Sequence, residues 1–267
     1  MDRISSRQNA IVKRFRELAQ AKHPDGEVLL DGPHLLGEAL SAGVPLDIVA
    51  LAEAEADPES RRLVDRAAKA GARTIAVTAP VLAAMSPVRN PSGVVAIGRL
   101  KKASVADVLR TGPQLVMVLH EAQDPGNVGA AIRAAEACGA TGAIATARTA
   151  NPFAWKALRG AMGSAFRLPI ATGASLHDID QAAKKAGVAI AATVPRGGTP
   201  LPSADLRQPM AILFGGEGPG LPDQVIQRAD VRLSIPMRSG VESLNVAVSA
   251  AIILYEAGRQ RTGGAGA

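Results

Sequence analysis

Short apolar runs alternate along this chain with longer stretches of helical periodicity. Residues 5 to 20 place Ile11, Phe15 and Leu18 on one stripe, which predicts a helix capped by Ser5 or Ser6. An αβ alternation follows. Strands are expected over 28–30, 48–51, 74–77 and 94–97. Helices are expected over 35–42 and 60–70, ended by Gly43 and Gly71, with a helical turn over 80–85. Residues 86–93 hold two prolines and a glycine and read as a loop. After a stretch rich in Gly, Lys and Pro, the run Leu115-Val116-Met117-Val118-Leu119 is continuously apolar, as a strand buried on both faces should be. Helix 128–138, strand 142–145, helix 154–160, a loop or short strand over 162–169, helix 176–186 and strand 188–194 come next. Strands 211–214 and 231–235 precede a last helix opened by Ser243-Leu244-Asn245. In that helix Val248, Ile252 and Tyr255 recur at helical spacing.

This alternation predicts an α/β fold with a mainly parallel sheet in the second half and a smaller α/β unit in the first. The expected division is residues 1–97, a linker over 98–113, a second domain over 114–261 and a disordered tail over 262–267. The first unit shows no nucleophile, metal cluster or phosphate loop, so binding is its expected job.

Charge changes the picture modestly. Lys and Arg total 30 against 24 Asp and Glu, a net charge of +6. Such a balance suits polyanion partners and is also common in soluble proteins without them. Arg3, Arg7 and Arg14 fall on one face of the first predicted helix: a solvated basic surface, or an RNA-binding arm that contacts phosphates. The single Cys138 leaves no intramolecular disulfide and no cysteine zinc site, and fits a reducing compartment. The four histidines lack metal-ligand spacing. The N-terminus has no signal-peptide core, and no apolar run reaches about 18 residues. The expectation is a cytoplasmic protein with no membrane span and no metal.

The candidate chemistry gathers at strand ends. The strand 211–214 runs into Gly215-Gly216-Glu217-Gly218-Pro219-Gly220, where missing Cβ atoms let backbone approach a ligand. Strand 231–235 ends in Pro236-Met237-Arg238-Ser239-Gly240, and strand 188–194 ends in Thr193-Val194-Pro195. Ligands of parallel sheets lie at this carboxyl edge. After strand 115–119, Asn127 stands at a helix start and Arg133 lies in an alanine-rich run. Asn127 reads as a helix cap or as a site residue. Arg133 reads as a surface ion-pair partner or as a partly buried, directed charge. The glycines do not match the dinucleotide-binding order, no Walker loop occurs, and G-x-S-x-G is absent.

Three stretches together carry a resemblance. They are Asp124-Pro125-Gly126-Asn127-Val128-Gly129 with Arg133, Phe214-Gly215-Gly216-Glu217-Gly218-Pro219-Gly220-Leu221, and Ser234-Ile235-Pro236-Met237 with Glu242-Ser243-Leu244-Asn245-Val246-Ala247-Val248. In order and separation they resemble the three motifs of the SpoU (TrmH) RNA ribose 2′-O-methyltransferases of the SPOUT superfamily. The stretches 31–35 and 91–96 resemble, more weakly, the RNA substrate-binding domain of some members. The resemblance implies a trefoil-knotted C-terminal domain, a homodimer, and S-adenosylmethionine held near Thr193, Gly215, Ile235 and Leu244. It implies catalytic roles for Asn127, Arg133, Glu217, Ser243 and Asn245. Arg133 would act as base or, since a guanidinium hardly ever loses its proton, as a clamp on the RNA phosphate. The final helix and the helix over 128–138 are the candidate dimer faces. The added N-terminal domain favours ribosomal RNA, with transfer RNA as the alternative substrate. The rival readings are a base methyltransferase and a non-catalytic RNA-binding or ribosome-assembly protein.

Overall fold

The computed structural model describes residues 2–20, 26–52, 54, 56–110, 112–218 and 220–262. The chain divides into two units, one of residues 1–101 with 153–167, the other of 102–152 with 168–267.

The first unit holds β1 (Asp2–Ile4), α1 (Ala10–Gln20), β2 (Glu27–Asp31), α2 (Pro33–Ser41), β3 (Leu46–Ala52), α3 (Pro58–Lys69), β4 (Arg73–Val77), α4 (Ala79–Met85) and β5 (Val94–Arg99). Local chemistry explains the helices. In α3 the Asp57 side chain caps the helix by accepting from the Ser60 N–H at 2.6 Å, Pro58 stands in the first turn, and Arg66 and Lys69 stand in the last. Its buried residues Ser60, Leu63, Val64 and Ala67 keep the i, i+3, i+4, i+7 spacing. The five strands form one mixed sheet in the order β1-β4-β3-β5-β2. Val12 and Phe15 of α1 pack with Ile48, Ile75, Leu82 and Met85 in its core.

The second unit holds α5 (Val105–Val108), β6 (Leu115–His120), α6 (Pro125–Ala137) and β7 (Gly142–Thr146). Two short helices, α7 (Trp155–Ala161) and α8 (Ser164–Arg167), interrupt it in sequence. It resumes with β8 (Ile170–Ala174), α9 (Leu176–Ala186), β9 (Ala189–Thr193), β10 (Thr199–Pro200), β11 (Met210–Gly215), α10 (Asp223–Arg228), β12 (Val231–Ser234) and α11 (Val246–Thr262). Its seven strands run in the order β10-β12-β9-β11-β6-β7-β8, each described pair parallel. Alternate residues Val116 and Val118, Ile190 and Ala192, and Ala211 and Leu213 supply one core face. Helix α11 packs on α6 and β11. A Cβ on Gly258 would lie 2.5 Å from the Cys138 carbonyl oxygen, so only glycine lets α11 pass the end of α6 so closely. No helix among the described residues is long and apolar enough to cross a membrane.

Several sequence expectations change. The first helix begins at Ala10, so Arg3 lies on β1 and Arg7 in a turn, and only Arg14 is helical. The 98–113 stretch is not a free linker. β5 continues to Arg99, and Val105, Val108 and Leu109 pack into the core of the second unit. Thr262 belongs to α11, and 263–267 lie outside the described residues. Residues 153–167 belong to the first unit although the sequence puts them in the second domain. Trp155 packs against the first unit's core and donates its indole N–H to the Ala19 carbonyl at 3.1 Å, and Arg167 pairs with Glu38.

Candidate active site

Four parallel strands of the second unit, β6, β11, β9 and β12, end side by side, and their loops share one edge. The glycine loop after β11 folds back on itself there. A Cβ on Gly215 would lie 2.5 Å from the Gly220 carbonyl carbon, and one on Gly216 would overlap the Glu121 carbonyl. Gly218 and Gly220 adopt φ of 106° and 71°, conformations that side chains rarely accept. The fold-back leaves a cavity of about 510 Å³, within the range of roughly 300–1,000 Å³ seen for small-ligand sites.

Thr193, Gly215, Ile235 and Leu244 all line this cavity, as do Glu217, Ser243 and Asn245. Leu233 and Ile253 add apolar wall, and Glu217 and Asp223 are the charged residues of the lining. The Thr193 hydroxyl donates its proton to the Leu213 carbonyl at 2.9 Å, so beyond backbone it offers a ligand only an acceptor. Apolar walls, bare glycine backbone and two carboxylates fit a ligand that is part apolar ring and part cation. S-adenosylmethionine is such a molecule.

A directed chain of amides stands at the cavity. Asn245 caps α11: its Oδ1 accepts from the N–H groups of Ala247 at 2.9 Å and Val248 at 3.3 Å. That leaves its Nδ2 as a donor, and it donates to Asn127 Oδ1 at 3.1 Å. Asn127 Nδ2 then donates to Glu217 Oε1 at 2.7 Å. The other Glu217 oxygen accepts from the Gln123 backbone N–H at 3.1 Å. Each amide is thus oriented by a neighbour with one possible role, a helix end or a carboxylate. Burial pushes the Glu217 carboxyl up, but hydrogen bonds from its own backbone N–H, from Asn127 and from Gln123 outweigh it and hold it below the usual range.

Asn127 is not the cap of α6. Asp124 is, accepting from the Asn127 N–H at 2.8 Å, which frees the Asn127 side chain for the site. Arg133 differs from expectation too. Ala131, Ile132 and Ala135 face the core, while Arg133 itself is exposed rather than partly buried. Six residues on from Asn127, it points about 120° away around the helix. Among the described residues it joins neither Asn127 nor Glu217. In the final helix, Val248, Ile252 and Tyr255 are 47 %, 37 % and 64 % exposed, so the stripe read from the sequence faces outward. The core stripe is Val246, Ala250, Ile253, Leu254 and Ala257.

In the first unit Arg14 sits among carboxylates. It pairs with Glu27, and with Asp47 at 2.7 Å, while Arg99 reaches Asp47 at 2.9 Å. Arg7 Nε donates to the Pro80 carbonyl at 3.1 Å, and Arg3 is exposed. Sequence reading missed Gln123 and Asp223. Neither belongs to the three motifs, although Gln123 directly precedes the first and Asp223 lies two residues beyond the second.

Residues 114–255 match the SpoU rRNA Methylase family, and residues 9–96 match the MRM3-like substrate binding domain. An uncharacterized tRNA/rRNA methyltransferase of Synechocystis is 35% identical over 263 residues, 97% of this chain and 94% of that protein. The 23S rRNA (guanosine(2553)-2′-O)-methyltransferase RlmP of Bacillus subtilis is 28% identical over 258 residues, 96% of this chain and 98% of that protein. The AdoMet-bound rRNA methyltransferase from Sinorhizobium meliloti aligns with a TM-score of 0.87 at 30% identity, covering 97% of each chain. With its motifs, its parallel sheet and its glycine-walled cavity, the chain belongs to the SpoU rRNA methylase family of S-adenosylmethionine-dependent RNA ribose methyltransferases.

Proposed function

We propose that this protein methylates a ribose 2′-hydroxyl of ribosomal RNA, as a homodimer in the cytoplasm. The observation that carries this reading is the directed chain from Asn245 through Asn127 to Glu217 beside a cavity lined with glycine backbone and carboxylates. The rRNA substrate is supported by the Bacillus subtilis relative RlmP, named as a 23S rRNA methyltransferase, and by the Sinorhizobium meliloti structure, named as an rRNA methyltransferase.

Thr193, Gly215, Ile235 and Leu244 would hold S-adenosylmethionine, largely through backbone. That cofactor supplies an electrophilic methyl group carried on a sulfonium. Glu217 and Asp223 put negative charge on the cavity lining, which favours a cationic centre there. Asn127 and Asn245, fixed by Glu217 and the α11 end, orient the ribose, and Ser243 shapes the pocket beside it. Positioning of this kind supplies much of the acceleration of a bimolecular transfer. Arg133 is assigned to the phosphate next to the target ribose rather than to proton removal, because a guanidinium holds its proton and forks onto phosphate oxygens. Its exposure suits a contact made outside its own chain, with RNA or across a dimer.

The exposed stripe Val248, Ile252 and Tyr255, on a helix packed against α6, supports a dimer face on these two helices. We also infer that the segment between β12 and α11 is threaded as a trefoil knot. Residues 1–97 would bind the RNA substrate, with Arg3 and Arg7 as phosphate contacts. Arg14 is assigned to the unit's own ion pairs instead.

The experiment is transfer of labelled methyl from S-adenosylmethionine to deproteinised rRNA and, separately, to bulk tRNA, followed by alkaline hydrolysis. The expected result is label in rRNA at an alkali-resistant linkage. Label in tRNA alone would overturn the substrate, and label at an alkali-labile position would move the reaction to a base. No label in either RNA or in assembled ribosomal particles would leave a binding protein.

A further inference from the structure

The loop after β6 has a strained backbone. Glu121 sits at φ 57°, a left-handed conformation uncommon for a residue with a Cβ. Residues like this persist only where their surroundings over-determine them. Here the surroundings are the segment 147–152, together with the end of β7. The Glu121 N–H donates to Thr149 Oγ1 at 3.0 Å and to Thr146 Oγ1 at 3.3 Å. Arg148 Nε donates to the Glu121 carboxylate at 2.9 Å, and the Ala150 N–H donates to the Ala122 carbonyl at 2.8 Å. The Glu121 carbonyl in turn fills the space where Gly216 lacks a Cβ.

Gln123 completes this join. Its Nε2 donates to the Arg148 carbonyl at 2.8 Å and, at 3.4 Å, to the Glu121 carbonyl. Its backbone N–H donates to Glu217 Oε2. The loops after β6, β7 and β11 therefore meet at one exposed residue outside the three motifs and outside the cavity lining.

We propose that Gln123 is a positioning residue for methyl transfer: its side-chain amide pins the loop whose backbone N–H holds Glu217 against Asn127. This rests on the methyltransferase reading above. Without the amide donor the turn at Glu121 loses one of its ties, the Gln123 N–H drifts, and Glu217 is free to rotate away from Asn127. Thr193, Gly215, Ile235 and Leu244, the residues assigned to hold the cofactor, are untouched, so the effect falls mainly on turnover.

The test uses the full chain and three variants. Gln123→Ala removes the amide, Gln123→Glu keeps the shape without an N–H donor, and Gln123→Arg restores N–H donors at similar reach. Methyl transfer to deproteinised rRNA gives kcat and KM, titration calorimetry gives S-adenosylmethionine affinity, and thermal unfolding checks the fold. Because Gln123 is exposed, all three variants should fold. The first two should lower kcat about tenfold, with KM and cofactor affinity within about twofold, and Gln123→Arg should recover most of the loss. Wild-type kcat in both donor-free variants, or kcat falling in step with cofactor and RNA binding, would overturn the proposal. A wild-type protein that methylates no ribose would overturn the methyltransferase reading instead.

Discussion

Each unit gathers charged or polar side chains at an edge of its sheet, and the two gatherings differ in kind. In the first unit Arg14 and Arg99 face Glu27 and Asp47, two cations against two carboxylates, and the group closes on itself. In the second unit the chain Asn245–Asn127–Glu217 ends beside an open cavity, and Arg133 projects to solvent. A closed group supports a fold modestly, because exchange of water for partners leaves little net gain. An open group keeps directed donors and charge available to a ligand, which is what positioning and electrostatic catalysis require. Basic residues at the first unit's surface are thus a poorer guide to function than the amides of the second.

That contrast can be broken most sharply at Arg133. Arg133→Ala should lower methyl transfer about 100-fold or more, the scale for losing one charged or polar contact at a reacting centre. Cofactor affinity by calorimetry should stay near wild type; its loss would mean Arg133 builds the cavity. Gly216→Ala comes next. The added Cβ meets backbone at Glu121, which cannot swing aside, so overpacking should cost about 1–3 kcal/mol, read as a lower Tm and weaker cofactor binding.

A smaller effect is expected from pH at Glu217. Its pKa is depressed in the folded protein, so its contribution is present above the unfolded value and lost only as pH falls through the lower folded value. Relative activity between pH 5 and 8 should therefore show no step from Glu217, and Glu217→Gln should lower kcat without changing the shape of the profile there. A step that Glu217→Gln removes would contradict this assignment. The smallest effect belongs to the first unit. Arg14→Met should cost no more than about 1 kcal/mol in urea unfolding, since the group is partly exposed and Arg99 remains beside Asp47. It should leave methyl transfer unchanged, whereas a large loss of RNA binding would return Arg14 to the substrate surface.

Much of the fold can be read from apolar spacing. Continuous runs such as 115–119 mark buried parallel strands, and α9 is found at Leu176–Ala186 as its pattern predicts. Strand β8 escapes because after Ile170 it is made of the small residues Ala171-Thr172-Gly173-Ala174, with Gly173 at φ 78° and an irregular register against β7. Helix α10 escapes because it has six residues and only the adjacent Val225 and Ile226 are apolar, too few to show a helical period. The outward face of α11 misleads, since a stripe meant for another surface has the same spacing as one meant for the core.

By itself the sequence determined the strand and helix alternation, the glycine loop that leaves room for a ligand, and the residues from which the site is built. These are local properties: side-chain period, caps and missing Cβ atoms act over a few residues. Only the tertiary structure decided that Asn127, Glu217 and Asn245 touch although 90 and 118 residues separate Asn127 from its two partners. It alone assigned residues 153–167 to the first unit, turned Arg14 onto carboxylates and Arg133 to solvent, and made Gln123 the meeting point of three loops. Those outcomes depend on which strand lies beside which, and no spacing along the chain carries that information.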